Sequence, residues 1–274
     1  MSSFTHLHCH SHYSLLDGLP KIDELIAKAK EYKMTALALT DHGVLYGAIE
    51  FYEKCLAAGL KPIIGLEAYL AYDKLTNKRP QIHNKRYHLT LLAKNLDGYH
   101  NLIKLSTVAH LDGFYYKPRV DKETLKKYSA GLIALSGCTF SSEINQALVN
   151  FGLAKAQTLF KEYQNIFGPE NFFLEIQHYP ELAETLKIRK LIIELAQATG
   201  APLTATADSH YLDPQDKEAH EILLCVQTNA KINDPKRLSM RDAACHFKSP
   251  FEMEKDFADI PAALSNTKKI ADQC

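Results

Sequence analysis

The sequence predicts an α/β fold whose parallel sheet is closed, or nearly closed, into a barrel and followed by a helical C-terminal extension. Three observations predict it. Short apolar runs recur at seven places, 4–9, 35–40, 62–70, 87–93, 131–136, 172–178 and 202–207. Amphipathic helical patterns lie between most of them, the rhythm of βαβ units and of a sheet covered by helices. The 274 residues suffice for one large domain, and an α/β barrel commonly takes ~250.

The first run carries Thr5-His6-Leu7-His8-Cys9-His10-Ser11-His12. Side chains alternate across a strand, so these imidazoles can share one face. A core strand would carry Val, Ile or Leu there, and neutral imidazole is a common metal ligand. A solvated polar tail is the competing reading. Ile22, Leu25, Ile26 and Ala29 then make one helical face. The run 35–40 ends in Asp41-His42-Gly43, which reads equally as a ligand pair or as a helix cap. Leu45, Ala48, Ile49, Tyr52, Cys55 and Leu56 make the next helical face. The run 62–70 sets Glu67 among apolar residues, and a buried carboxylate needs a cation or several donors. His88 stands at the start of its run, the wrong end for a parallel strand. The run 131–136 leads to Gly137-Cys138; alone, Cys138 reads as an inert buried thiol. Ala156, Leu159, Phe160 and Tyr163 form a third helical face. The helix over 182–199 stops at Gly200, with Pro202 just after. The last run leads to Asp208-Ser209-His210.

From 216 to 274 the strand signal fades into helices and loops, with breaks at Asp234-Pro235 and Ser249-Pro250. Pro261–Gln273 reads as a helix without a stop signal, which suggests a piece of a longer chain. No internal repeat or low-complexity segment appears.

In parallel α/β folds, chemistry sits beyond the carboxyl ends of the strands. Five strand ends carry residues of the types that bind transition metals: His8 and His10, Asp41 and His42, Glu67, Cys138, and Asp208 with His210. Asp17-Gly18 reads locally as a turn. So many donors exceed the needs of one zinc ion. They suit two or three ions bridged by a carboxylate such as Glu67, and divalent ions ~3.5–4 Å apart are a device for phosphoester hydrolysis. A histidine-rich set with one thiol favours Zn²⁺, Mn²⁺ or Fe²⁺ over Mg²⁺ or Ca²⁺.

Bulk properties narrow the partners. Lys+Arg and Asp+Glu are both 32, so overall charge gives no reason for strong non-specific nucleic-acid binding. No apolar run has membrane-spanning length and no signal-peptide core follows the start Met. The six cysteines follow no zinc-finger spacing and read as reduced thiols of a cytoplasmic protein.

Taken together, the motifs resemble the PHP (polymerase and histidinol phosphatase) domains of bacterial replicative DNA polymerases. The resemblance spans 1–274. It rests on His6-Leu7-His8-Cys9-His10-Ser11, Ser14-Leu15-Leu16-Asp17-Gly18, Leu39-Thr40-Asp41-His42-Gly43, the stretch 59–65 leading to Glu67, the stretch 88–95, Leu135-Ser136-Gly137-Cys138 and Asp208-Ser209-His210. The segments 113–121 and 257–264 point to the polymerase branch.

The resemblance implies a distorted (βα)7 barrel over about 1–215, with 216–274 leading toward a polymerase palm outside this sequence. It implies a trinuclear site with nine ligands: His8, His10, Asp17, His42, Glu67, His88, Cys138, Asp208 and His210. Asp41 then orients His42 or another ligand, and His6 and His12 become bystanders. The implied cofactors are two to three divalent ions, Zn or Mn with Fe also possible. The implied activity is phosphoester hydrolysis, as an auxiliary 3′–5′ proofreading exonuclease, with no separate protein base. Arg86 and Arg119 are candidates to grip substrate phosphate, although a plain surface role suits each equally. The implied partners are a DNA 3′ end, the rest of the polymerase chain and a separate proofreading exonuclease subunit. Polymerisation would belong to the palm. Two other readings stand beside this one. The metals could serve only to stabilise a structural module, or the chain could be a free-standing histidinol-phosphate phosphatase, against which 113–121 and 257–264 argue.

Overall fold

The computed structural model of the chain describes residues 4–274. In chain order the elements are α1 (Ile22–Glu31), β1 (Ala36–Leu39), α2 (Ala48–Ala57), β2 (Lys61–Ala71), β3 (Arg86–Ala93), α3 (Leu96–Leu111), β4 (Arg119–Val120), α4 (Lys122–Lys127), β5 (Leu132–Leu135), α5 (Glu143–Phe151), α6 (Leu153–Phe167), β6 (Phe172–Ile176), α7 (Ala183–Thr199), β7 (Leu203–Ala205), α8 (Lys217–Thr228), α9 (Pro250–Asp256) and α10 (Pro261–Gln273). The expected rhythm is present, and six of the seven expected strands fall on observed ones. The short β4, which pairs with β2, is not foreseen by the pattern.

The strands curl into one sheet in the order β1-β2-β3-β5-β6-β7. The seventh expected strand, 4–9, is extended but makes only an isolated bridge, Cys9 to Ser209. It nonetheless joins the two edges. Ala38 N donates to His6 O at 3.0 Å and Thr40 N to Cys9 O at 2.9 Å on the β1 side; His10 N donates to Ser209 O at 2.9 Å beyond β7. The result is a distorted α/β barrel.

The sheet is not all parallel, as the rhythm had predicted. β3 runs antiparallel to both β2 and β5. No helix intervenes between β2 and β3, and a strand pair joined without a helical crossover is free to run antiparallel. This reversal removes the difficulty with His88. The start of β3 lies at the same end of the barrel as the carboxyl ends of the other strands, with His88 opposite Tyr69 near the end of β2.

The period of two splits each strand between two cores. Leu7, Ala36, Ala38, Ile63, Leu92, Ile133, Leu135 and Phe173 pack together with Ile270 and Ala271 of α10. These residues line the barrel interior at its floor. The opposite faces, with Leu37, Leu39, Leu66 and Leu91, join the larger core under the helices. Followed along three of the strands, the inward positions change from apolar to polar toward one end, Ile63 to Glu67, Leu92 to Thr90 and His88, and Phe173 to Glu175 and Gln177, while on β7 Thr204 leads to Thr206 and Asp208. Dry packing below thus supports a polar cluster above.

The sequence misplaces one helical face. On α2 the buried positions are Ala48, Phe51 and Cys55, whereas Ile49, Tyr52 and Leu56 are exposed at 59%, 48% and 53%. Both stripes are apolar, so periodicity alone does not choose between them. The helix 182–199 starts one residue later than predicted and ends as predicted, with Gly200 at φ 71°. All six cysteines are free thiols. Among the described residues no helix is long and apolar enough to cross a membrane.

Candidate metal centre

Nine side chains expected to act together converge at the polar end of the barrel. His8 Nε2 lies 3.3 Å from Glu67 Oε1 and 3.3 Å from Asp208 Oδ1. His10 Nε2 lies 3.4 Å from Glu67 Oε2 and 3.3 Å from Asp208 Oδ1. His42 sits between Glu67 (Nδ1–Oε2, 2.5 Å) and Asp17 (Nε2–Oδ2, 3.2 Å). His88 Nδ1 is 2.9 Å from Glu67 Oε1, with Cys138 Sγ at 3.9 Å. His210 Nε2 is 3.8 Å from Asp17 Oδ1. Donor atoms gather tightly enough to hold an ion in three overlapping groups: His10, His42 and His210; His8, His10 and Glu67; His42, Glu67 and His88.

Backbone geometry makes this convergence possible. Gly137 has φ 92°, and a Cβ there would lie 2.2 Å from His88 O, so only glycine brings the Cys138 turn this close to β3. Asp208 itself adopts φ 49°, a left-handed conformation that costs free energy for a residue with a side chain.

Hydrogen bonds behind the cluster fix which ring nitrogen faces it. His8 Nδ1 donates to Glu175 Oε1 at 2.6 Å. His210 Nδ1 donates to the Asp208 carbonyl at 2.8 Å. The Ser14 hydroxyl donates to Asp41 Oδ1 at 2.7 Å, so its oxygen accepts from His10 Nδ1 at 2.9 Å. In all three histidines Nδ1 is thereby engaged, which leaves Nε2 as the ring atom that faces the site and can donate to a metal. Asp41 acts on His10 through Ser14, and it is steadied further by Ser11, whose N and Oγ both donate to it.

The forward-facing atoms have no such partners. His8 Nε2, His10 Nε2, His42 Nδ1, Glu67 Oε2 and Asp208 Oδ1 are buried without a hydrogen bond. Buried polar atoms are rarely left unpaired, and lone pairs facing one another across 2.5–3.4 Å call for a cation between them. The electrostatics show what a cation would replace: neighbouring acidic groups outweigh burial and hold His8, His42 and His210 above the usual imidazole range, so these rings take up positive charge when no cation is there. Burial, with His42 and His210 beside it, brings the His10 pKa down to about 3, leaving a neutral donor. Burial pushes the Glu67 carboxyl up, but His42, His88 and His8 more than offset this and hold it well below the usual carboxylate range. Imidazole, carboxylate and one thiol form a donor set that fits Zn²⁺, Mn²⁺ or Fe²⁺.

The two arginines part company. Arg119 is fully buried and donates to four backbone carbonyls, those of Gly113, His83, Leu75 and Asn77. It clamps loops together and has no face free for phosphate, which corrects the expectation placed on it. The sequence does not separate the two arginines, because each sits at a segment that carries the resemblance, Arg86 just before 88–95 and Arg119 within 113–121. Arg86 lies over the Tyr69 ring at 5.4 Å, and Tyr69 stacks on His42 at 5.6 Å, so its charge stays beside the cluster. Lys117 lies over the same ring at 5.6 Å.

Sequence reasoning passes over Glu175 and His220. Glu175 is a carboxylate in the apolar strand Phe172–Ile176, the same signal that marks Glu67. His220, on α8, is 1% exposed and sits 3.8 Å from Asp17 Oδ1; nothing in the sequence distinguishes it from a core histidine. Glu175 also accepts from Thr206 Oγ1 at 2.6 Å and Thr90 Oγ1 at 3.1 Å. Glu175→Gln is expected to weaken metal affinity about 10- to 100-fold, as is typical for a carboxylate behind a ligating histidine. Competition against a chromophoric chelator measures this, and unchanged affinity would remove Glu175 from the site.

The PHP domain family matches residues 6–179. The chain belongs to the PHP domain family. Over its full length this PHP domain is 45% identical to DNA polymerase III subunit alpha of Borreliella burgdorferi, and over 99% of its length it is 43% identical to that of Helicobacter pylori. It spans 24% and 23% of those relatives, about a quarter of each. Among solved structures, a protein described as a metal-dependent phosphoesterase from Bifidobacterium adolescentis aligns with 92% of this PHP domain and 96% of its own chain, at TM-score 0.47 and 12% identity.

Proposed function

We propose that this PHP domain is a divalent-metal-dependent phosphoesterase that hydrolyses DNA phosphodiesters from a 3′ end, as an auxiliary 3′–5′ exonuclease within a replicative polymerase. The observation that carries this reading is the set of buried, mutually facing lone pairs contributed by His8, His10, His42, Glu67 and Asp208. Asp17, His88, Cys138 and His210 complete the nine side chains that would hold two or three ions, Zn or Mn, with Fe a further candidate. Bound there, divalent ions supply Lewis acidity to phosphoryl oxygens and lower the pKa of water toward neutrality. The chain's own residues do the rest. Glu175, Ser14 and the Asp208 carbonyl keep the rings of His8, His10 and His210 in one orientation. The barrel floor excludes water from below. Arg86 and Lys117, each over the Tyr69 ring, put positive charge where a phosphate would approach. No side chain is assigned as a separate general base.

The similarity to DNA polymerase III subunit alpha supports a setting inside a longer chain, with DNA and the remainder of the polymerase as partners and the cytoplasm as compartment. A separate proofreading exonuclease subunit is a further proposed partner.

Incubation of the metal-loaded chain with a 5′-labelled single strand is expected to give a ladder shortened from the 3′ end with Zn²⁺ or Mn²⁺ and nothing after chelation. Intact DNA under metal-replete conditions would overturn the reading and leave the ions a purely structural task.

A further inference from the structure

Beside the site cavity, of about 490 Å³, lies a larger groove of about 820 Å³ between the start of β3 and the α5–α6 pair. The two share His88, Phe140 and Ser141 as a common wall. The groove therefore runs up against the metal-centre cavity at these three residues. Its cations are Lys85, Arg86 and Lys155, of which Lys85 and Lys155 are exposed and Arg86 keeps a buried Nε without a partner. The carboxylate that lines it, Glu143, is already engaged by Lys122 Nζ at 2.9 Å and by Tyr163 OH at 2.6 Å. Local charge is thus positive although the chain as a whole is neutral. Large rings stand open along the same path: Tyr72 is 51% exposed, Phe140 45% and Phe151 74%.

We infer that this groove binds single-stranded nucleic acid and feeds its end into the metal centre. Exposed aromatic faces interleaved with cations are the features that hold a strand whose bases are free to stack. A duplex keeps its bases stacked on one another and offers these rings nothing but its backbone. The inference rests on the proposed phosphoesterase reading for the direction of threading, and on the groove's own chemistry for binding.

The test is fluorescence anisotropy with a labelled oligothymidylate, using chelator-treated chain so that no cleavage intervenes. Phe151 and Lys155 are exposed, so their replacement does not disturb the core. The double variant Phe151→Ala/Lys155→Glu is expected to bind at least about tenfold more weakly, through lost stacking and lost phosphate contact. Lys190→Glu, the same charge change on the exposed face of α7, is expected to leave affinity unaltered. A blunt duplex of equal length is expected to bind more weakly than the single strand. Double-variant affinity equal to that of the unsubstituted chain, or equal binding of duplex and single strand, would overturn the groove assignment. Hydrolysis of bis(p-nitrophenyl) phosphate by the unsubstituted, metal-loaded chain decides the phosphoesterase reading separately, because so small an ester needs no groove.

Discussion

Replacing Glu67 with Gln is expected to abolish both metal retention and hydrolysis while leaving a folded barrel. Glu67 touches more of the cluster than any other side chain described, lying within 3.4 Å of His8, His10, His42 and His88. It stands on β2, opposite Thr90 of β3, where the inward series of that strand turns from apolar to polar. An amide of the same shape keeps the packing but removes the negative charge and aims N–H groups at nitrogens that must present lone pairs. Removing a residue behind a ligand costs about 10- to 100-fold, so loss of a carboxylate shared by four histidines should exceed about 100-fold in activity. Elemental analysis of the purified variant should show well under the metal content of the unsubstituted chain. Retention of full metal content and activity by Glu67→Gln would refute the placement of Glu67 at the centre.

Replacing Arg119 with Met is expected to act on stability instead. The guanidinium is buried and ties the carbonyls of Leu75, Asn77, His83 and Gly113, so its loss strands several acceptors in a dry place. A buried group stripped of its charged partner costs about 3–5 kcal/mol, and for a domain of this size that is a fall of roughly 10 °C in melting temperature. Thermal unfolding followed by circular dichroism measures it. Metal content of the folded variant should be unchanged. A variant with normal stability but a raised KM for DNA would return Arg119 to the phosphate-gripping role the sequence had suggested.

The contrast between these two residues shows where sequence reasoning reaches. Glu67 is legible because a carboxylate in an apolar strand violates the pattern around it, and such a violation needs a compensating cation or donors. By that measure Glu175 is legible too, in the middle of Phe172–Ile176. Arg119 follows Tyr115, Tyr116 and Lys117 in a segment that looks exposed, and its burial depends on the connection between β2 and β3, which carries Leu75, Asn77 and His83 from elsewhere in the chain. His220 is hidden for the same reason. It lies in the helical extension, far along the chain from Asp17, and only packing of α8 brings them to 3.8 Å. The two apolar stripes of α2 are a third case, since hydrophobicity marks both and the neighbours choose one.

By itself the sequence determined the alternation of strands and helices, the chemical types of the donors and the family to which they belong, because these depend on local periodicity and side-chain identity. Tertiary structure alone decided the direction of β3, the closure of the barrel by residues 6–10, the backing of His8 by Glu175 and of His10 by Asp41 through Ser14, and the placing of a basic, aromatic groove beside the metal centre. Each of these joins residues distant in the chain, and such contacts are set by how loops and helices pack, which local pattern does not encode.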